Sequence, residues 1–236
     1  MNLLTTGNPK ILKGHVHGYL SSILHLAPYN LSGHQVCIKA TSGCAAACLN
    51  TAGRGGIIKA GETTNIIQQA RIRKTKLLFS NRDYFMGLLA EDIIKTIRYA
   101  ENHNLVPVFR LNGTSDIVWE KIPYNGFKNI MQAFPTVQFY DYTKILNRKV
   151  PANYHLTFSA ADGNDKDVIK AIDQGYNVAV VFNTKKGQPL PEQYLGLPVF
   201  NGDDSDLRFL DPRGVIVGLY AKGKAKHDTT GFVKRG

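Results

Sequence analysis

Only three of the 236 residues are cysteine, acidic side chains are few, and long apolar runs are absent. An odd cysteine count excludes complete disulfide pairing, and the opening MNLLTTGNPKILKG has no long apolar core of a secretory leader. Free thiols in a reducing, cytoplasmic setting are therefore expected. No apolar stretch reaches the roughly 20 residues of a membrane-spanning helix, so no membrane partner is expected. Phosphate-loop, dinucleotide-binding and serine-nucleophile motifs are missing, which removes several common enzyme classes. Low-complexity tracts, heptads and short repeats are missing too. What remains is an ordinary folded chain, 43% hydrophobic and 10% aromatic, able to bury a substantial core.

The three cysteines that are present stand together. Cys37, Cys44 and Cys48 lie in HQVCIKATSGCAAACLNTAGRGG at C-x6-C-x3-C spacing. Packed structural cysteines should be scattered through a core, so this clustering points to a metal site. Thiolates favour soft or borderline metals, which leaves iron–sulfur clusters and zinc and sets aside calcium and magnesium. Zinc needs a fourth ligand, and His34 would complete H-x2-C-x6-C-x3-C. A cubane [4Fe–4S] cluster needs only the three thiolates and leaves one iron open to a small molecule. The surrounding glycines would let backbone N–H groups approach the sulfides. Asn50 and Arg54, which follow at once, are candidate ligand-binding residues. The ordinary alternative is a pair of packed or merely redox-sensitive thiols, since Cys44 and Cys48 would share a helix face.

Charge is the second clue. Lys and Arg total 29 against 18 Asp and Glu, a formal net charge of +11. Such a field favours nucleic acid or a phosphorylated small molecule as partner. Arg71, Arg73, Lys74 and Lys76 could form one basic stripe on a helix beside the cysteines. A second basic group, Lys222, Lys224, Lys226, Lys234 and Arg235, closes the chain.

Element types alternate along the sequence. HVHGYLSSILHLAP contains a first strand. NIIQQARIRKTKLLF and RDYFMGLLAEDIIKTIRYAENHN have helical spacing, with Leu89, Ile93, Ile94 and Ile97 on the buried side of the second. VPVFRLN, TVQFYDY, YHLTFSA, NVAVVFN, LPVFNG and GVIVGLYA read as strands, while GFKNIMQAF and DKDVIKAIDQG read as helices and TKILNRK as a short helix or turn. Polar residues recur after the strands: Asn112 to Asp116, then Asp141, then Ser159 to Asp162. That recurrence favours the catalytic face of a barrel, and the length suits a partial (β/α) barrel of about six or seven mostly parallel strands. One α/β domain over 1–221, with a metal loop at 34–56, would be followed by a basic, loosely ordered tail over 222–236.

TTGNPK, ILHLAPYNLSG, GCAAACLNTAGRGG, RLNGTSD and GVIVGLYAKGKAK together resemble the uncharacterised bacteriophage gene product 88 domain family over nearly the whole chain. The resemblance implies a viral origin and the cytoplasm of a host cell, without a settled activity. More distantly, a thiolate loop after a first strand resembles the layout of radical S-adenosylmethionine enzymes. That layout implies Cys37, Cys44 and Cys48 as ligands of a [4Fe–4S] cluster and S-adenosylmethionine as a further cofactor. It also implies Asn112, Thr114, Ser115 and Asp116 as contacts to a ribose, amino or carboxylate group. Those enzymes space their cysteines C-x3-C-x2-C, so the intervals of six and three here are a departure.

Weaker constellations complete the reading. His15 and His17 form an H-x-H pair of the kind metal-dependent hydrolases and nucleases place on a strand. Asp203, Asp204, Asp206 and Asp211 could bind magnesium, and Tyr140 and Tyr142 share a strand face as packing residues. Three readings follow: an iron–sulfur protein on a radical-enzyme-like barrel, a zinc- or cluster-stabilised nucleic-acid-binding protein without catalysis, and a metal-dependent nuclease using His15 and His17.

Overall fold

A computed structural model describes residues 1–6 and 14–235, and the Gly7 to Lys10 part of the TTGNPK motif lies outside the described residues. Among the described residues nine strands form one sheet: β1 Leu4–Thr5, β2 Tyr19–Leu24, β3 Val106–Arg110, β4 Gln138–Thr143, β5 Tyr154–Ser159, β6 Val178–Phe182, β7 Gln193–Tyr194, β8 Leu197–Asn201 and β9 Ile216–Tyr220. Their order is β1-β2-β3-β4-β5-β6-β9-β8-β7. Each neighbouring pair from β2 to β8 is parallel, and only β1 and β7 run antiparallel, at the two edges. The α/β class and mostly parallel sheet agree with the strand–helix alternation. The sheet has nine strands rather than six or seven among the described residues and is not closed, because β1 covers the outer side of β2 and β7 that of β8.

Five α-helices carry the connections among the described residues: α1 Ser42–Ala46, α2 Ile66–Ser80, α3 Arg82–Asn102, α4 Ile130–Ala133 and α5 Asp165–Asp173. Asn65 starts α2 by accepting from the N–H groups of Ile67 and Gln68, an N-cap that satisfies donors the helix cannot. Its amide also donates to the carbonyls of Arg54, Gly55 and Ile57, tying the glycine-rich loop to the helix start. Asn81 caps α3 in the same way, accepting from Tyr84 N. The α3 stripe of Phe85, Leu89 and Ile93 is fully buried against Phe109 and Phe139, while Ile94, expected on that side, is exposed. Its helical angle turns it one step past the stripe. GFKNIMQAF shortens to the single turn of α4 and TKILNRK forms no helix.

Alternation along the strands divides the sheet into two faces. Phe139, Leu156, Phe158, Val180 and Phe182 point to the helices. Val108, Tyr140, Ala179 and Val217 point the other way, the first two packed with Leu207 and Phe209 and the last two with Val215 and Phe200. Arg110 lies on that second face with its buried partner Asp206 at 3.1 Å, and Arg208 with Asp211 lies nearby, also at 3.1 Å. The stretch from Lys222, expected as a loose tail, returns across the strand ends: Lys234 N donates to Val181 O at 2.7 Å, Asn183 N donates to Lys234 O, and Ala225 is buried. No helix among the described residues is long and apolar enough to cross a membrane.

Candidate metal centre

The cysteine segment crosses the C-terminal ends of the parallel strands, where loops rather than ladder bonds decide the chemistry. Cys37 follows a turn anchored by Val36 N to Tyr29 O at 3.1 Å, and its sulfur accepts from Tyr29 N at 3.4 Å. Thr41 opens α1 by accepting from Cys44 N. Cys48 caps the start of the next turn, Leu49–Thr51, and its sulfur accepts from Asn50 N at 3.5 Å. All three thiols are free and partly buried. They line one cavity of about 210 Å³ together with strand-end residues Thr143, Lys144, Ser159, Val181 and Leu219.

One carboxylate holds the segment down. Asp162, in the loop between β5 and α5, accepts from the Thr41 hydroxyl, from Gly43 N at 3.0 Å and from Cys44 N at 3.2 Å. A side chain on Gly43 would collide with that carboxylate and with the Thr230 hydroxyl, so the helix can approach only as glycine. Burial opposes the Asp162 charge, but the bonds from Thr41, Gly43 and Cys44 outweigh it and hold the carboxyl below its ordinary range. The folded value is the lower one, so this clamp is complete above the ordinary carboxylate range and is lost as acid titrates through the depressed value. Asp162→Ala should remove about 0.5–2 kcal/mol, as capping contacts do. Urea midpoints measured at neutral pH and in acid should show the acid-dependent share disappearing in that variant.

Burial keeps two of the three sulfurs as neutral thiols. Burial, together with the neighbouring Cys48, Asp116 and Cys44, pushes the Cys37 thiol up to about 11 despite the Tyr29 bond. Burial and Cys44 raise Cys48 as well. A metal's charge is what releases such protons, since the thiolate is the ligand form. Two cations already stand close: Lys144 beside Cys44 and Cys37, and Arg71 beside Cys48. Burial works against the Lys144 ammonium, yet Cys44 and Asp116 overcome it and raise its pKa.

Several predicted site residues are placed differently. His34 stacks flat on Phe79 at 4.3 Å, turned to α2, and does not line the cavity with the cysteines. Asn50 is buried and accepts from Arg71 at 2.6 Å, while Arg54 is exposed and away from the cavity. Asn112, Thr114, Ser115 and Asp116 do line it, but their side chains are engaged inside the loop. Asn112 Oδ1 accepts from Ser115, Ile117 N and Trp119, Thr114 donates to Leu26 O, and Asp116 accepts from Thr143 and Lys144 N. Asp141 lies within β4 rather than after it, fully buried, accepting from Leu111 N, Asn112 N and Tyr154. Burial pushes its carboxyl up to about 7.

The basic stripe is broken as well. Arg71 is tied to Asn50, and Lys74 donates to Leu3 O at 2.6 Å, leaving Arg73 and Lys76 exposed. His15 is helical and His17 sits in the turn before β2, at the opposite end of that strand from the cysteines, and neither is on a strand. The four aspartates disperse: Asp203 to Lys222, Asp204 to Asn201, Asp206 to Arg110 and Asp211 to Arg208. Tyr140 packs against Phe209 and donates to Ser21, as a packing residue does. Lys144 and Arg110 were not singled out from the sequence; the signal for Lys144 was its place immediately after a strand.

Among the described residues, no group of three or more His, Cys, Asp or Glu side chains is close enough to hold a metal ion. The cysteines thus surround a cavity without converging on a single point. No curated protein and no solved structure matches the chain. A family model described as Gene product 88 matches residues 2–236, and the chain belongs to that family.

Proposed function

We propose that this protein holds a [4Fe–4S] cluster on Cys37, Cys44 and Cys48, with the fourth iron facing the cavity, where a small molecule binds. One observation carries the reading: three free, partly buried thiols from one short segment line a single cavity at the C-terminal ends of parallel strands. Ligands in open parallel sheets bind at that edge. The donor set fits a cluster better than zinc. A cubane takes one thiolate per iron, so its ligands stand apart around it, whereas one zinc ion needs four ligands converged on a point. Backbone N–H groups on two of the sulfurs are also what cluster ligands receive. When bound, such a cluster would supply electron transfer and an open iron as a Lewis acid.

The chain's own residues shape the cavity around that edge. Ala47, Leu219 and Phe232 give it apolar walls, and Arg110, Ser159 and Lys222 bring polar groups to it. The side chains of Asn112, Thr114, Ser115 and Asp116 hold the wall in place rather than contact a ligand. Strands β2 to β6 follow one another without reversal, the order of a barrel wall, which supports reading the sheet as an opened barrel akin to the radical-enzyme layout. The cysteine intervals differ from those of radical enzymes, so no cleavage of S-adenosylmethionine is assigned. Free thiols suit the reducing cytoplasm of a host cell.

Anaerobic purification with iron, sulfide and zinc analysis tests the proposal. About four iron and four sulfide per chain are expected, with broad visible absorption. Cys44→Ala should lose both while keeping the far-ultraviolet circular dichroism of the wild type. Colourless protein holding one zinc and no sulfide would refute the cluster.

A further inference from the structure

Five strands send one residue each to the cavity: Arg110 from β3, Tyr142 from β4, Ser159 from β5, Val181 from β6 and Leu219 from β9. Strand alternation puts all five on the face of the sheet turned away from the helices, and the pairings of Ser159 with Ala179 and of Val181 with Leu219 fix that register. The Arg110 guanidinium lies over the Tyr142 ring at 4.6 Å, and its Nη1 donates to Asp206 at 3.1 Å. Nothing among the described residues accepts from Arg110 Nε or from the Tyr142 hydroxyl, and both atoms are buried. A buried donor left unmet costs about 1–3 kcal/mol, so two of them on adjacent side chains mark a place where an acceptor belongs. Lys144 and Lys222 add cations to the lining. Lys222 is paired with Asp203, whereas Lys144 forms no ion pair with a carboxylate among the described residues. Asp116 is the one carboxylate in the lining, and it already accepts from Thr143 and Lys144 N.

We propose that this cavity binds a small monocarboxylate with an apolar body, its carboxylate held by Arg110 and the Tyr142 hydroxyl while Lys144 balances its charge. The ligand is the small molecule of the reading above, and the proposal rests on that reading only in taking the cavity as a ligand site; no cysteine and no metal enters it. A guanidinium and a neighbouring hydroxyl offer donors to the two oxygens of one carboxylate, and charge-assisted bonds of that kind are the strong ones. Because Arg110 and Lys222 are already engaged with Asp206 and Asp203, one unpaired cation is left, which suits a single negative charge and not the doubled charge of a phosphate monoester. The apolar body rests against Ala47, Val181, Leu219 and Phe232. Mostly apolar walls with a few convergent polar groups are how small-molecule sites are built.

Ligand-observed nuclear magnetic resonance on full-length chains, with iron and sulfide measured on the same sample, tests the site with benzoate, its neutral isostere benzamide and inorganic phosphate. Benzoate should bind, benzamide should bind at least about tenfold more weakly, and phosphate at equal concentration should not displace benzoate. Tyr142→Phe removes a hydroxyl that has no partner, so the variant should resist urea as well as the wild type and yet bind benzoate about tenfold more weakly. Arg110→Lys keeps a charge opposite Asp206 but loses the planar guanidinium, and it should weaken binding by at least as much. If Arg110→Lys fails to fold, Tyr142→Phe decides. Absence of benzoate binding, equal binding of benzamide, displacement by phosphate or unchanged benzoate affinity in Tyr142→Phe overturns the carboxylate site, and in chains that hold iron and sulfide it leaves the iron–sulfur reading standing. Benzoate binding with the expected losses in chains free of iron and sulfide supports the site and overturns the cluster.

Discussion

Arg148→Ala should destabilise the protein by about 3–5 kcal/mol, the penalty for stranding buried carboxylates without their cation. The Arg148 side chain is 2% exposed and grips Glu120 with two bonds of 2.8 and 2.6 Å. It also donates to Tyr154 at 3.3 Å and faces Asp116 at 3.6 Å. Tyr154 donates a hydrogen bond from its hydroxyl to Asp141, which holds the amides of Leu111 and Asn112. One guanidinium therefore braces both the RLNGTSD loop and the start of the Lys144 segment. Arg148→Lys keeps the charge but loses the planar fork, so its loss should be intermediate. Burial already raises the Asp116 carboxyl against the bonds from Lys144 N and Thr143 and the nearby charges. A carboxyl raised in the folded state weakens stability as pH climbs above the ordinary carboxylate range, and without Arg148 that loss grows. The defect of Arg148→Ala should be larger at neutral pH than in mild acid. Urea midpoints with an unchanged slope provide the measurement. A loss below about 1 kcal/mol would place these pairs with weak surface contacts.

Trp119→Ala should remove a similar ~3–5 kcal/mol, by a different route. Trp119 is fully buried in the main core, stacked near Phe85 at 6.4 Å. Its indole N–H donates to Asn112 Oδ1 at 3.1 Å, the same oxygen that accepts from Ser115 and Ile117 N. Truncation empties the core beneath the loop that walls the cavity, and the loss of packing dominates because Asn112 keeps two donors. Trp119→Phe retains most of the volume and should cost far less. Circular dichroism must follow unfolding, since this is the chain's single tryptophan. If the alanine variant melted with the wild type, Trp119 would not be supporting the loop.

Strands with their own alternation were legible from residues alone. YHLTFSA places Leu156 and Phe158 on one face, and that face is buried against helices. The long periods of α2 and α3 were legible for the same reason. Two-residue strands were not: β1 and β7 have no pattern of their own and exist only through a neighbour. The place of β9 between β6 and β8 is likewise decided by pairing far along the chain. Asp141 looked like a strand-end residue because β4 runs on to Thr143. That same extension put Lys144 at the strand end that lines the cavity.

The sequence by itself determined the chemistry on offer: three clustered thiols that follow a first strand, an α/β alternation and an excess of positive charge. Residue type and local period carry that information. Only the tertiary structure decided which groups meet. It turned His34 onto Phe79, consumed the polar side chains of RLNGTSD in holding their own loop, and drew Arg71 and Lys74 inward. It also brought Lys144 to Cys44 and Asp162 to Gly43. A buried polar group takes whichever partner the packing presents, and those partners lie up to 121 residues away in the chain.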